Sequence, residues 1–248
     1  MIHYKTQQEI EIMQKAGKLV HDTLEKVSLW IKPGIMTAEL DAIAEEYIRS
    51  HDGIPGFKGY DGFPATLCIS VNEEVVHGIP GKRILKEGDI VSIDCGAIVE
   101  GYYGDHARTF AVGKIPDAYQ HLIEVTEECL YKGIEKAVVG NHLQDIGYVI
   151  QTHAESHGFS VIRSLVGHGI GRKLHEDPQV PNYGYSGRGL QLKPGLAIAI
   201  EPMINLGTHE IKTLRDGWTV VTVDGKVSAH FEHTLVITEN GPLVLTKE

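Results

Sequence analysis

The chain has 248 residues and a formal net charge of −10, with 42% hydrophobic and 23% charged residues. This mixture is typical of a globular protein and excludes intrinsic disorder. The acidic surplus argues against nucleic acid as a substrate, because binding to the phosphate backbone uses clustered Lys and Arg. The longest apolar runs, such as Leu196 to Ile200, are too short for a membrane-spanning helix.

The cysteines and the first residues bear on the compartment. Cys68, Cys95 and Cys129 lie far apart and are odd in number, so no disulfide framework or Cys-x-x-Cys site is indicated. Met1 to Ile10 lacks the apolar core of a signal peptide. We therefore expect a cytoplasmic protein in a reducing environment.

Helices and strands follow from spacing. Thr6 and Glu9 have the spacing of a capping box, and apolar residues at three- and four-residue steps then predict a helix that ends at Lys32-Pro33-Gly34. Thr37 is the predicted N-cap of a second helix, which ends near residues 51–53. Further on, strands are predicted at residues 66–71, 89–95 and 102–112, and helices at 116–138 and 143–157. The rest reads as short strands between Gly and Pro turns.

Parts of the chain repeat. Leu85 to Asp94 aligns with Leu192 to Glu201, and both segments end an apolar strand on a carboxylate. Residues 34–51 resemble residues 140–157, and Asp105-His106 resembles Glu232-His233. Chance agreement of two Lys-x-Gly turns is the alternative. We interpret the repeat as a duplication within a single α/β (α+β) domain, with halves at about residues 1–112 and 113–248 related by a pseudo-two-fold axis.

Two aspartates of the first half point to a metal. A hairpin centred between Val99 and Glu100 would place Asp94 directly opposite Asp105, with Cβ atoms about 5 Å apart. Carboxylates that close repel each other, and a divalent cation removes this repulsion. For this pair alone, two surface aspartates at a hairpin end remain the slightly better interpretation.

Three further residues strengthen the metal interpretation. Glu201 occupies the position of Asp94 in the repeated strand, and Glu232 precedes an apolar run. His168 lies in a glycine-rich segment, Gly167 to Gly171, where we expect close backbone packing and an exposed imidazole. Four carboxylates and one imidazole suit Mn²⁺, Fe²⁺, Co²⁺ or Zn²⁺.

Several of these segments together resemble the type I methionine aminopeptidases. They are, in chain order, Ser92 to Asp94, Gly104 to Thr109, Gly167 to Pro178, Ile200 to Pro202 and Phe231 to Thr234, with Val76 to Pro80 also similar. The similarity covers essentially the whole chain. It implies the pita-bread fold, a curved mixed or antiparallel sheet with outer helices and a two-metal centre between duplicated halves. It also implies an enzyme that removes the N-terminal methionine from nascent proteins and prefers a small second residue.

The resemblance further implies roles for individual residues. Two divalent metal ions would be held by Asp94, Asp105, His168, Glu201 and Glu232. Asp94 would chelate one ion, His168 and Glu201 would help to hold the other, and Asp105 and Glu232 would bridge them. A metal-bridged water would attack the scissile carbonyl, with Glu201 as the proton shuttle. The outer histidines His77 and His175 would contact the substrate and the developing charge.

The same resemblance implies binding sites around this centre. The methionine pocket would be formed by Tyr60, Phe63, Cys68 and Trp218. Phe57 and Leu174 occupy positions where the resemblance leads us to expect other residue types. The resemblance therefore does not define the outline of the pocket. A monovalent cation would lie near Asn72, Glu74 and Ser228. The implied partners are N-terminal peptides of nascent proteins and, transiently, the ribosome; we expect a monomer.

Three alternatives remain to be compared. Xaa-Pro peptidases share the fold and the five ligands but carry a large N-terminal domain, whereas here one helix precedes the repeat. A non-catalytic relative that binds peptides would have lost ligands, whereas all five and both outer histidines are present here. The type II methionine enzymes carry a long insertion that is absent between Glu201 and Glu232.

Overall fold

The computed structural model describes residues 2–247, and within that range the chain forms a curved sheet with helices on one face. The helices are α1 (Gln7–Ser28), α2 (Thr37–Ser50), α3 (Asp117–Lys136) and α4 (Leu143–Ser156). The first strands are β1 (Ile54–Pro55), β2 (Leu67–Val71), β3 (Glu74–Val76), β4 (Ile90–Val99) and β5 (Tyr102–Ala111). The next are β6 (Ser160–Val161), β7 (Gly167–Gly169), β8 (Glu176–Val180), β9 (Ala197–Ile200) and β10 (Met203–Asn205). The last are β11 (Ile211–Thr213), β12 (Val220–Thr222), β13 (Ser228–His230), β14 (Glu232–Thr238) and β15 (Gly241–Val244).

The nine-stranded main sheet joins the two halves. Its order is β1-β4-β5-β14-β9-β7-β8, with β2 also paired to β4 and β15 to β14. Each of these pairings is antiparallel. The two halves meet where β14 pairs with β5, and in this pairing His233 lies opposite His106. The centre of the sheet is therefore built from strands of both halves.

Alternation along the strands separates a helix-covered face from an open one. Ile93 of β4 packs in a core with α1 and α2, and Ile198 of β9 packs in a second core with α3 and α4. Asp94 and Ala199, the next residues along these strands, point to the other face. One face of the sheet is thus apolar and covered, and the opposite face is available for a site. In residues 2–247, no helix has the length and apolarity needed to cross a bilayer.

The helix starts show which local predictions were right. The capping box of α1 is confirmed, because Thr6 and Glu9 exchange backbone-to-side-chain hydrogen bonds. The N-cap prediction for α2 was wrong: Met36 is the N-cap, and its N–H donates to Glu39 Oε2 at 2.9 Å. Thr37 is the first helical residue. Its hydroxyl is used elsewhere, donating to the carbonyl of Gly81 at 3.1 Å.

The hairpin register also differs from the prediction. Val99 pairs with Tyr102, so the turn is Glu100-Gly101, and its residues have φ angles of 50° and 80°. Positive φ at both central positions is the geometry of the two-residue turn that suits twisted strands. Asp94 and Asp105 are therefore diagonal neighbours and not directly opposed.

The two halves have matching elements. The helices α2 and α4 each have 14 residues. An isolated bridge precedes each of them, Met36 with Ile84 in the first half and His142 with Gln191 in the second. These correspondences support the duplication. The single domain and its division near residue 112 stay predictions.

Candidate metal centre

Strand register brings the predicted ligands to the open face of the sheet. Asp94 of β4 and Glu232 of β14 both pair with Ala107 of β5, so the three residues form one row across the sheet. Glu201 directly follows β9, whose Ile200 pairs with the residue after Glu232. Because paired residues share a face, these three carboxylates point the same way.

The other two predicted ligands lie in the neighbouring row. Asp105 pairs with Gly96, and His168 of β7 pairs with Ala199 of β9. The His168 Nε2 atom is 3.8 Å from Asp105 Oδ2 and 3.5 Å from Glu201 Oε1. Ala107, Gly96 and Ala199 are small, so the two rows leave room above the sheet for the charged side chains.

The buried oxygens of this group test whether it fits a cation. Asp94 Oδ1, Asp105 Oδ1 and Glu232 Oε1 are buried without a hydrogen-bond partner among residues 2–247. Orphaned buried acceptors are rare, and a bound ion is one of the arrangements that satisfies them. Ligand atoms of Asp105, His168 and Glu232 lie within 4.8 Å of one another. The residues therefore fit divalent metal ions.

Electrostatics supports the same conclusion. Burial raises the pKa of Asp94 to about 7. Burial, followed by the charges of neighbouring carboxylates, raises the pKa of Asp105, Glu201 and Glu232 well above the ordinary value. Four such groups do not ionise together without compensating positive charge. A bound cation lowers the pKa of these carboxyl groups, because it favours their ionised forms.

The glycines around His168 explain its orientation. A Cβ at Gly167 would lie 2.4 Å from the carbonyl oxygen of Ala199, and one at Gly169 would lie 2.1 Å from that of Asp177. His168 Nδ1 donates to the carbonyl of Gly169 at 2.9 Å, which leaves Nε2 as the atom that faces the carboxylates. The expected exposure of the imidazole was wrong. The residue is only 8% exposed, because the close packing that the glycines permit also covers the ring.

His230 is a further residue of the site that the sequence analysis missed. Its Nε2 atom is 3.8 Å from Glu201 Oε2 and 3.9 Å from Glu232 Oε2, and it has no hydrogen-bond partner among residues 2–247. Burial lowers its pKa to about 3, so the imidazole is neutral. The available signal was its spacing, since residues i and i+2 of an extended segment share a face.

A cavity of about 210 Å³ opens onto the centre. This is smaller than the roughly 300–1,000 Å³ usual for drug-sized ligands and suits a single side chain. Phe63 and Trp218 meet edge to face, with ring centroids 5.1 Å apart. The structure brings the four predicted pocket residues together in the lining of this cavity, which also includes the two residues at unexpected positions. These six are Tyr60, Phe63, Cys68, Trp218, Phe57 and Leu174.

The two outer histidines also line the cavity. His175 Nδ1 is 2.8 Å from the Tyr60 hydroxyl, and the His175 ring meets that of His168 with centroids 4.5 Å apart. His77 has a φ of 58°, a left-handed conformation, and its ring approaches Trp218. Burial lowers the pKa of both outer histidines, which favours neutral imidazoles.

The residues predicted to bind a monovalent cation lie close together. The Ser228 N–H donates to the carbonyl of Asn72 at 2.9 Å, and Glu74 Oε2 accepts from the Val71 N–H at 2.8 Å. The Asn72 side-chain oxygen already accepts from the N–H of Ile90. The side chains of Asn72 and Glu74 are thus engaged within the protein, and the cation stays a prediction.

Comparisons with known proteins agree over the whole chain. Residues 11–239 match metallopeptidase family M24. The methionine aminopeptidase of Clostridium perfringens is 57% identical, and the match covers 99% of both chains. Methionine aminopeptidase 1 of Bacillus subtilis is 56% identical over the full length of both. These matches confirm the resemblance seen in the sequence.

Solved structures show the same fold. Methionine aminopeptidase from Thermotoga maritima has a TM-score of 0.99 and 50% identity, with 100% of both chains covered. The prolidase from Pyrococcus furiosus is similar in fold alone, with a TM-score of 0.78, 24% identity and 65% of that chain covered. The pita-bread fold is thus confirmed, and the Xaa-Pro alternative is not favoured. The chain belongs to metallopeptidase family M24 and, within it, to the methionine aminopeptidases.

Proposed function

We propose that this protein removes the N-terminal methionine from nascent cytoplasmic proteins by metal-dependent hydrolysis. The observation that carries the proposal is a group of buried, unpaired carboxylate oxygens at the end of a cavity that fits one apolar side chain. The names of the full-length relatives support the substrate. The metal is Mn, Fe, Co or Zn, since oxygen-rich sites with an imidazole suit these ions.

Each ligand has a proposed place. Asp94 would hold one ion, His168 and Glu201 would contribute to the other, and Asp105 and Glu232 would serve both. Two divalent ions, when bound, lower the pKa of water and polarise the scissile carbonyl. The shared pair lies on adjacent strands, β5 and β14, in neighbouring rows of one face.

The protein's own groups then move the proton and stabilise charge. Glu201 lies half-buried beside His168 and His230, at a position where its carboxylate can take the proton of the attacking water. It returns this proton to the leaving amine, as general acid–base catalysis requires. The Tyr60 hydroxyl lies 2.8 Å from His175 Nδ1, and when it donates to that nitrogen the imidazole proton lies on Nε2. That N–H can donate to the oxygen on which charge develops.

The cavity selects methionine by its lining. Aromatic rings and a thiol suit a polarizable thioether. Burial raises the pKa of Cys68 well above its ordinary value, so the thiol carries no charge. A charged first residue would be desolvated here without a partner. An open groove of about 720 Å³ continues past His168 and His175, and we assign the following residues of the substrate to it.

The decisive experiment is activity of the metal-free protein on Met-Ala-Ser, titrated anaerobically with each of the four metals. We expect no turnover without metal and full turnover at two or fewer equivalents. An Ala-Pro dipeptide serves as the competing substrate. Faster cleavage of Ala-Pro than of Met-Ala-Ser would contradict the proposal in favour of an Xaa-Pro peptidase.

A further inference from the structure

Away from the sheet, helices α3 and α4 present a second group of metal-ligand side chains. His121 and Glu128 lie two turns apart on α3, His153 lies in the last turn of α4, and His157 is the C-cap residue of α4. Residues with these spacings share a helix face. All four belong to the outer helix layer, whereas the candidate metal centre lies on the opposite face of the sheet.

The side chains of Glu128, His153 and His157 converge, and His121 lies beside His157. His153 Nε2 is 2.6 Å from Glu128 Oε2, and His157 Nδ1 is 3.3 Å from His121 Nε2. The rings of His153 and His157 meet edge to face, with centroids 4.8 Å apart. Ligand atoms of Glu128, His153 and His157 all lie within 4.8 Å of one another. One small ion could therefore contact all three with small rotamer changes.

The donor set selects the kind of ion. Donor atoms at about 2.0–2.1 Å from a tetrahedral Zn²⁺ are roughly 3.3 Å apart, which is the separation already present between His157 and His121. Three imidazoles and one carboxylate suit zinc and its neighbours in the first transition row, and they do not suit Mg²⁺ or Ca²⁺. The cluster is open to solvent, so an ion can enter without any rearrangement of the core.

We propose that His121, Glu128, His153 and His157 form a peripheral binding site for Zn²⁺, separate from the proposed catalytic ions. The bound ion would join α3 to α4 across their exposed faces. Because it would bind only the folded protein, it would stabilise that state by mass action. The site is independent of the peptidase reaction, so its test does not rest on the proposed function.

The test compares Zn²⁺ uptake by the wild type and the double variant His153→Ala/His157→Ala, measured by calorimetry and by metal analysis after desalting. His209→Ala is the matched control, because His209 is an exposed histidine in a different part of the chain. We expect the double variant to bind one Zn²⁺ fewer than the wild type and His209→Ala to bind the same number. At saturating Mn²⁺, peptidase activity of all three should agree within about twofold, since none of these residues contacts the candidate metal centre.

Thermal unfolding gives a second measurement. At a hundredfold excess over the dissociation constant, Zn²⁺ should raise the Tm of the wild type by about 5–10 °C more than that of the double variant. Glu128→Gln should reduce the affinity of this site while retaining all three histidines. Equal Zn²⁺ uptake by the wild type and the double variant, or equal Tm shifts, would overturn the proposal.

Discussion

His106 and His233 stack face to face across β5 and β14, with ring centroids 4.7 Å apart and ring planes 7° apart. Their sequence neighbours Asp105 and Glu232 point to the opposite face, because side chains alternate along a strand. His106 Nδ1 also donates to the carbonyl of Glu232 at 2.5 Å. We therefore expect the stack to set the relative position of the two carboxylates proposed to be shared between the metal ions.

Replacing His106 by Ala should weaken metal binding about 10- to 100-fold, the range seen when residues behind a metal ligand are removed. The change removes both the ring stack and the bond to the Glu232 backbone. Calorimetric titration with Mn²⁺ measures the effect. His21→Ala is the control, because His21 approaches the His106 ring only at 6.0 Å. Equal affinities for the two variants would show that the stack does not position the carboxylates.

Removing the shared carboxylate itself should have a larger effect. Asp105→Ala should abolish turnover and lower the metal content, since that side chain would neutralise charge from two cations. Asp61→Ala is the matched control, because Asp61 lines the same cavity from an exposed position. Normal metal content with full activity in Asp105→Ala is the result that rejects the assignment.

The two neighbouring histidines His168 and His175 should behave differently. His168→Ala should lose metal and activity together. His175→Ala should keep near-normal metal stoichiometry while kcat falls by about 10²–10³, as expected for loss of a donor to the developing oxyanion. Metal titration and steady-state kinetics on both variants distinguish the roles. Loss of metal in His175→Ala would mean that the two roles are assigned wrongly.

Substrate choice should follow the apolar cavity. We expect kcat/KM for Met-Ala-Ser to exceed that for Lys-Ala-Ser by at least about 100-fold, because burial of an unpaired charge costs several kcal/mol. A small second residue should also be required, so Met-Trp-Ser should be a poor substrate. Comparable values for the lysine peptide contradict the pocket assignment, and efficient cleavage of the tryptophan peptide contradicts the second requirement.

The N-terminus of α1 should make a pH-dependent contribution to the free energy of unfolding. Hydrogen bonds lower the pKa of Glu9 from 4.5 to about 2. The largest contribution comes from the Thr6 N–H, and a smaller one comes from the Tyr102 hydroxyl. A lowered pKa in the folded state stabilises the protein above pH 4.5, and this contribution is lost as the pH falls towards 2. Glu9→Gln should therefore be less stable than the wild type at pH 7, with the difference shrinking between pH 4.5 and 2.

Urea unfolding at a series of pH values measures this difference. Glu11→Gln is the control, since Glu11 lies on the exposed side of the same helix. The interaction is close to the surface, so the effect should be modest. A stability difference for Glu9→Gln that stays constant from pH 7 to pH 2 would rule out the carboxylate as its source.

The sequence by itself determined the features that depend on a few neighbouring residues. The four helices were predicted to within a few residues, the first from its apolar periodicity, and the Thr6–Glu9 spacing predicted the capping box. The repeat indicated that Asp94 and Glu201 occupy equivalent positions, but the prediction that Asp94 ends its strand was wrong, because β4 continues to Val99, whereas Glu201 does follow the last residue of β9. These signals are local, because helix hydrogen bonds and strand pleats connect residues close in the chain.

Only the tertiary structure decided the details that depend on distant partners. The sequence predicted Asp105 directly opposite Asp94. In the structure the two-residue turn at Glu100-Gly101 places it diagonally, because strand register follows turn geometry. The burial of His168 and the inclusion of His230 depend on which strands cover them. Such contacts join residues far apart in the chain, so spacing alone does not specify them.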